Sequence, residues 1–456
     1  MLSLIYLIFS LILAIPFFVI LKGNLINLFQ KPICLALLFL LIIHGLTPAF
    51  QYPQSIYRYI YIGEVYTLWA HIYSFILVIL FVMFMILFYS VGRNYSDDPL
   101  PQLSSLSMPS KMYLLIFVAL PAVYGAFFYF LKIMSMGYQT YMQDRIGFSD
   151  RYGGMHILFS RWLYVSFFVS FAGYLASDKR DKMMLIWTIL FGIITFGYFG
   201  YLGNRNPIFI SLLTIVGIYL IITSLPHISI WKTAFSKIGL IVGLLVVGMV
   251  VMGYLREIKV GIKSSPARAV AVTLNSAFGN HENIVWLIDN DYDLYYGKTY
   301  WAGIINVFPR VLWPEKPLGA GPILKNMVDP YSYQIGRKGI SSLTTGYITE
   351  AYMNGGFFAV VLMGTLAGSL LRFISKLRPR CVGPWAIAIY CYTTFTFAGS
   401  MTHNEFSGAY TRWLIDLFPL FWGWFFFEYL GSSSHADWQL EEIELLQYPR
   451  MNKEYQ

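Results

Sequence analysis

The run Phe308-Pro309-Arg310-Val311-Leu312-Trp313-Pro314-Glu315-Lys316-Pro317 displays a guanidinium and an ammonium on a backbone that three prolines keep extended or turning. A planar guanidinium held rigidly near a headgroup plane grips a phosphate through two parallel N–H donors. Two more arginines stand at helix ends. Arg205 lies in the turn Tyr201-Leu202-Gly203-Asn204-Arg205-Asn206-Pro207, and it either snorkels to the interface or grips a phosphate. Arg256 closes Gly253-Tyr254-Leu255-Arg256-Glu257, with Lys259 and Lys263 following at helical spacing. That trio is either a solvated helix end or an electropositive mouth for an anionic lipid headgroup.

Proton transfer needs a base within hydrogen-bond reach of its substrate. In the run 341–356, helical spacing places Tyr347, Glu350 and Asn354 on one face. A carboxylate just above a membrane is costly unless paired, so Glu350 is either functional or a partner of the helix dipole. His281 and Glu282, and His403 and Glu405, form two further acid–base groups. No H-E-x-x-H spacing occurs. Asp289, Asp291 and Asp293 alternate without the glycine and closing glutamate of a calcium loop and read as a solvated turn. No Walker loop, G-x-S-x-G elbow or dinucleotide fingerprint is present, so neither a metal nor another cofactor is expected.

The elements that must position these groups are apolar helices. The chain has 456 residues, 57% hydrophobic and only 12% charged, against about a quarter charged in soluble domains. Continuous apolar runs, each able to cross about 30 Å of hydrocarbon, predict helices near 2–22, 32–50, 67–91, 112–134, 157–177, 183–202, 207–225, 238–255, 356–374, 384–402 and 413–430. The fold class is therefore an all-α integral membrane protein of about 11 (10–12) spans, and continuous rather than alternating runs exclude a β-barrel. The first 22 residues lack a basic n-region and read as an uncleaved helix.

Lys22 and Lys31, Arg93 and Lys111, the run 178–182, Lys232 and Lys237, and Lys376, Arg378 and Arg380 mark the connections expected on the cytoplasmic side, together with a tail over 431–456. The organisation is then helices one to eight over 1–255, a large loop over 256–355 on the opposite side with partly helical, interfacial segments, and helices nine to eleven over 356–430. The net charge of +9 follows from this asymmetry, which favours anionic membrane lipid over nucleic acid as partner. Cys34, Cys381 and Cys391 form no disulfide framework.

The Gly-Asn-Arg-Asn turn at 203–206, the Tyr-Leu-Arg end at 254–256, the Phe-Pro-Arg-x-x-Trp-Pro-x-Lys-Pro run at 308–317 and Glu-Ala-Tyr-Met-Asn-Gly-Gly at 350–356 together resemble the Wzy-type O-antigen (oligosaccharide repeat unit) polymerases. The layout, with one large late loop, is similar to theirs and to other lipid-carrier glycosyltransferases of the GT-C type. The resemblance implies an enzyme of the bacterial inner membrane. On the periplasmic face it would transfer a glycan from undecaprenyl pyrophosphate to a sugar hydroxyl of an incoming lipid-linked repeat unit, without metal and alongside a chain-length regulator protein. It implies that Arg205, Arg256 and Arg310, with Lys316 in support, hold pyrophosphate. The base would be Glu350, then His281, then Glu405. Trp313, Tyr347, Tyr352 and Asn354 would contact sugars. Arg145, Arg151 and Arg412 are further members of the cationic set. An O-antigen ligase and a lipid-linked oligosaccharide flippase are the competing readings.

Overall fold

The computed structural model describes residues 2–24, 27–54, 66–91, 103–143, 145, 148, 152–177, 181–223, 266–290, 292–308, 313, 315–334 and 342–430. Eight helices among them are long and apolar enough to cross a membrane. They are α1 (Leu2–Leu21), α2 (Pro32–Gln51), α3 (Leu68–Ser90), α4 (Met108–Met136), α5 (Gly154–Ala176), α6 (Lys182–Tyr201), α7 (Asn206–Thr223) and the long helix Gly346–Arg380. Each overlaps an expected span. The expected span 238–255 lies outside the described residues.

Among the described residues, four shorter helices stand between α7 and the long helix: α8 (Pro266–Phe278), α9 (His281–Asp289), α10 (Lys298–Ile305) and α11 (Ala320–Val328). The apolar stretch from Tyr300 to Val307, too short to span, supplies six of the eight residues of α10, which packs on the start of the helix beginning at Phe406. The side chain that a residue larger than Gly303 would carry meets the Phe406 ring there at 2.6 Å.

The long helix, α12 (Gly346–Leu377), begins ten residues before the expected boundary at 356. Its axis breaks at Gly355 and Gly356, the latter with φ +59°, a left-handed value that favours glycine. The break releases the carbonyls of Met353 and Asn354, and the N–H groups of Tyr295 and Tyr296 occupy them at 3.0 and 2.8 Å. The short arm 346–354, which carries Glu350, is thereby stitched to the segment before α10. Below the break, Gly364 and Gly368 lie one turn apart, a small-xxx-small pair facing α3. A Cβ on Gly364 would sit 2.7 Å from the Phe81 carbonyl, so the two backbones touch directly.

Two further helical runs follow among the described residues, 384–403 and α13 (Phe406–Trp424), which continues as a wider turn through Phe425–Tyr429. The last helix starts seven residues before the expected 413, because Glu405 ends the extended segment that precedes it. Neither run is among the eight apolar spans; hydroxyl side chains dilute the first, and Arg412 and Asp416 the second. The Asp416 charge is paired. Asp416, fully buried, accepts both Nε (3.1 Å) and Nη2 (2.5 Å) of Arg161 on α5, and the hydroxyls of Tyr164 and Tyr392. A buried ion pair persists only when its remaining lone pairs are also satisfied, as they are here.

Among the described residues the connections sort into two groups at opposite ends of the bundle. At one end Arg145 donates to Gly203 O at 3.2 Å, Gln51 donates to Glu282 at 2.9 Å, and Gly321 N–H donates to Glu405 at 2.6 Å. This is the loop face. At the other, basic face Lys111 pairs with Asp181 at 2.5 Å and Ser104 N–H donates to Val382 O at 2.9 Å. Glu428 accepts the N–H groups of Trp385 and Ala386 at 2.8 and 3.0 Å, which caps the run beginning at Pro384.

Because the glycine pair sets the α3–α12 separation, Gly368→Leu should push the helices apart and lower stability by about 1–3 kcal/mol. The check is the thermal midpoint of the purified protein in detergent, where a fall of several degrees is expected and an unchanged midpoint is not.

Candidate functional site

Two buried polar centres lie at the loop face. The first is the segment Asn280-His281-Glu282-Asn283, where α9 begins, with every side chain at most 1% exposed. Asn280 donates to the His403 carbonyl at 2.9 Å. His281 Nε2 lies 3.1 Å from the Tyr6 hydroxyl on α1, its Nδ1 is 2.9 Å from His44 Nδ1 on α2, and Ser74 of α3 is 3.4 Å away. Tyr6 also meets His71 Nδ1 at 2.7 Å. Glu282 accepts Tyr66 OH at 2.8 Å and the Gln51 amide at 2.9 Å. Asn283 donates to the Thr344 carbonyl. One turn of polar residues thus ties α1, α2 and α3 to the segments flanking α12 and α13. Burial, with His44 and His71 close by, pushes the His281 imidazole well below its usual range, so the ring is neutral.

The second centre is a pair of carboxylates where α10, α11, α12 and α13 meet. Glu350, 1% exposed, accepts Thr299 Oγ1 at 2.8 Å and the Phe406 N–H at 2.7 Å. Asn354, one turn on, donates to Thr299 Oγ1 at 2.7 Å and accepts the Gly297 N–H at 2.9 Å. The anticipated face of Glu350 and Asn354 is real, and it points into protein. Glu405 is half-buried. Its Oε2 accepts the Gly321 N–H, so it sits on the first turn of α11 as Glu350 sits on the first turn of α13. The carboxylate reaches this backbone because 319 and 321 are glycines; a Cβ on either would lie 2.8 or 3.0 Å from Oε2. A Cβ on Gly408 would lie 3.5 Å from Glu405 Oε1 and 3.4 Å from Arg412 Nη1, so acid and guanidinium flank one backbone position. Burial pushes the Glu405 carboxyl above the usual range, opposed by the Gly321 N–H and Arg412. The Tyr300 hydroxyl, buried and without a hydrogen-bond partner among the described residues, adds a donor beside Glu350.

The other expected site residues distribute as follows. Arg256, Arg310 and Arg151 lie outside the described residues. Arg205 opens the helix Arg205–Thr223, and its side chain is likewise outside them. The turn before it is held by Arg145, Tyr138 and Tyr141, which donate to the carbonyls of Gly203, Tyr201 and Leu202. Lys316 is buried, with its ammonium on the carbonyls of Phe308 and Asn306 at 2.9 and 3.3 Å, so it braces the proline-rich loop. Trp313 is 44% exposed at the loop face. Tyr347 stacks on Phe81 and donates to the Phe397 carbonyl, and Tyr352 packs against Tyr292 and Tyr73; both rings are integrated into helix packing.

Sequence reasoning gave no role to Tyr6, His44, His71, Thr299 or Tyr300. Single polar residues in apolar runs were the available signal for the first three, and the Gly-Ala-Gly-Pro run at 319–322 for the Glu405 seat. Among the described residues no group of three or more His, Cys, Asp or Glu is arranged to hold a metal. Compared with known proteins, the chain matches no family model, no curated protein and no solved structure.

A histidine held neutral in the fold but titrating near 6.5 when unfolded stabilises the fold fully above that pH. Below it the unfolded chain takes the proton first, so stability falls, by at most about 1.4 kcal/mol per pH unit for one group. The loss of thermal midpoint from pH 7 to pH 5 should therefore be smaller in His281→Gln than in the wild type. Identical pH profiles would show that His281 is not held neutral.

Proposed function

We propose that this chain is a membrane glycosyltransferase that polymerises oligosaccharide repeat units carried on a polyprenyl pyrophosphate, working at its loop face. The observation that carries the reading is the junction of Glu350, Glu405, Arg412 and Tyr300. Two acids, a guanidinium and an unpartnered hydroxyl gather at one end of a multi-pass apolar bundle, where a lipid-anchored substrate presents its sugars. The resemblance of the 203–206, 254–256, 308–317 and 350–356 runs to the Wzy-type polymerases supplies the substrate class. A bacterial inner membrane, a periplasmic loop face and a cytoplasmic tail belong to the same proposal.

In this reaction the acceptor sugar hydroxyl gives up its proton as its oxygen bonds to the donor anomeric carbon. The bond from that carbon to the pyrophosphate oxygen breaks, and its electron pair leaves on the lipid pyrophosphate. Glu405 is the better-placed base, being half-buried beside Arg412, with burial raising its carboxyl above the usual range and so strengthening it as a proton acceptor. Glu350, sealed between Thr299 and Phe406, positions the last helix that carries Glu405 and Arg412. Arg205, Arg256 and Arg310 are assigned to the departing pyrophosphate, where fixed cations offset developing charge. Trp313, exposed beside the proline-rich loop, offers a face for a sugar ring.

A transporter would draw on charges inside the helices, and Arg161–Asp416 is such a pair. Its carboxylate is saturated by the guanidinium and two tyrosines, which suits a lock between α5 and α13 better than a permeation path.

In a strain lacking the native gene, wild type should restore a ladder of long glycans on gels. Glu405→Gln and Arg310→Ala should leave single repeat units on the outer face, with the protein present at normal level and polymer reduced by at least about 100-fold. A full ladder from both variants would remove these residues from the site. Single units accumulating on the inner face would indicate a flippase instead.

A further inference from the structure

A groove of about 360 Å³ lies between α12, the 384–403 run and α13. Its walls are almost wholly apolar. Phe373, 58% exposed, and Leu417 line it, and Trp424 and Arg380 stand at the basic-face end. Trp413 and Phe397 close the other end. From Trp413 to Trp424 the last helix runs eleven residues, about 16 Å along its axis. That is close to half of the roughly 30 Å hydrocarbon thickness of a bilayer, the depth of one leaflet.

We infer that this groove is a binding site for one acyl chain of an anionic phospholipid from the leaflet at the basic face, with the lipid phosphate held by Arg380. Three features carry the assignment. The groove has the length of a single-leaflet chain and lies between helices whose neighbouring apolar residues Leu366, Phe373 and Phe418 are exposed. Its single charged lining residue, Arg380, is exposed at the mouth and ends the basic run Lys376, Arg378, Arg380. Trp424 shares that end of the groove, and tryptophan favours the lipid–water boundary. A guanidinium at that level pairs with a phosphate bidentately and selects an anionic headgroup over a zwitterionic one, whose own ammonium competes for the phosphate. The charged mouth of the groove lies at the basic face, the opposite end of the bundle from Glu350 and Glu405, so the assignment does not depend on the reaction proposed above.

The test uses the full chain in nanodiscs made with an equimolar mixture of phosphatidylglycerol and phosphatidylcholine, followed by release into mild detergent and native mass spectrometry. Wild type should retain one phosphatidylglycerol in at least about fivefold excess over phosphatidylcholine, since about 1 kcal/mol distinguishes the headgroups. Arg380→Gln, a change at an exposed side chain, should erase the headgroup preference while a lipid is still retained. Leu417→Trp, which fills the groove, should abolish retention of both lipids; Leu417→Ala, which enlarges it, should preserve retention if the larger residue perturbs folding. Equal retention of the two lipids by wild type, or a phosphatidylglycerol preference that survives Arg380→Gln, would overturn the assignment.

Discussion

Four consecutive polar side chains, Asn280 to Asn283, are buried where α9 starts, and each has to find its own partner because an unsatisfied buried polar group costs about 1–3 kcal/mol. They point to four different places: the His403 carbonyl, the Tyr6–His44–Ser74 cluster, the Gln51–Tyr66 pair and the Thr344 carbonyl. No displacement of one neighbour leaves all four satisfied. Apolar packing between helices in a lipid environment has little directional preference, since lipid tails are as apolar as leucine. Directed hydrogen bonds supply what packing lacks. The segment fixes the first three helices against the two strands of chain that lead into α12 and α13, and so fixes the junction at which Glu350 and Glu405 meet.

A second device recurs at that junction and at the opposite face. Glu350, Glu405 and Glu428 each accept N–H groups from the first turn of a helix that is not their own, where the helix dipole favours negative charge. Each contact bridges elements distant in sequence and needs a close approach of backbone. Glycine provides it at 319 and 321 for Glu405, and at 383 for Glu428, where a Cβ would collide with the carboxylate. An acid used in this way can be structural, catalytic or both. Burial distinguishes the two at the loop face: Glu350 is sealed, whereas Glu405 is half-buried with Arg412 beside it.

The apolar spans were legible because hydrophobic continuity over about twenty residues is a local property, and eight of the eleven expected spans appear as long apolar helices. The starts of α12 and α13 were misplaced for a physical reason. Helix 346–354 carries Thr, Tyr, Glu and Asn and is buried by protein rather than lipid, so its composition does not announce a helix. The shared face of Glu350 and Asn354 followed from helical spacing alone. What that face touches did not, because Thr299 and Phe406 are about fifty residues away in either direction. His281 was recognised as an ionisable group in a polar run, but its partners Tyr6, His44 and Ser74 are polar residues inside apolar stretches, and nothing local pairs them. The proline-rich run at 308–317 carried the clearest chemical signal, and within it the bracing of Lys316 by backbone carbonyls is a tertiary fact.

The central claim is that sugars and lipid pyrophosphate meet at the loop face, between the acids of α12 and α13 and the arginines of the 203–206, 254–256 and 308–317 runs. An electron cryomicroscopy structure of the full chain with a polyprenyl-pyrophosphate-linked oligosaccharide bound measures this directly. The account predicts a sugar hydroxyl within about 3 Å of the Glu405 carboxylate and the pyrophosphate against Arg205, Arg256 and Arg310 in one hollow. Those three guanidinium groups spread over separate surfaces, with the glycan bound away from Glu405, would contradict it.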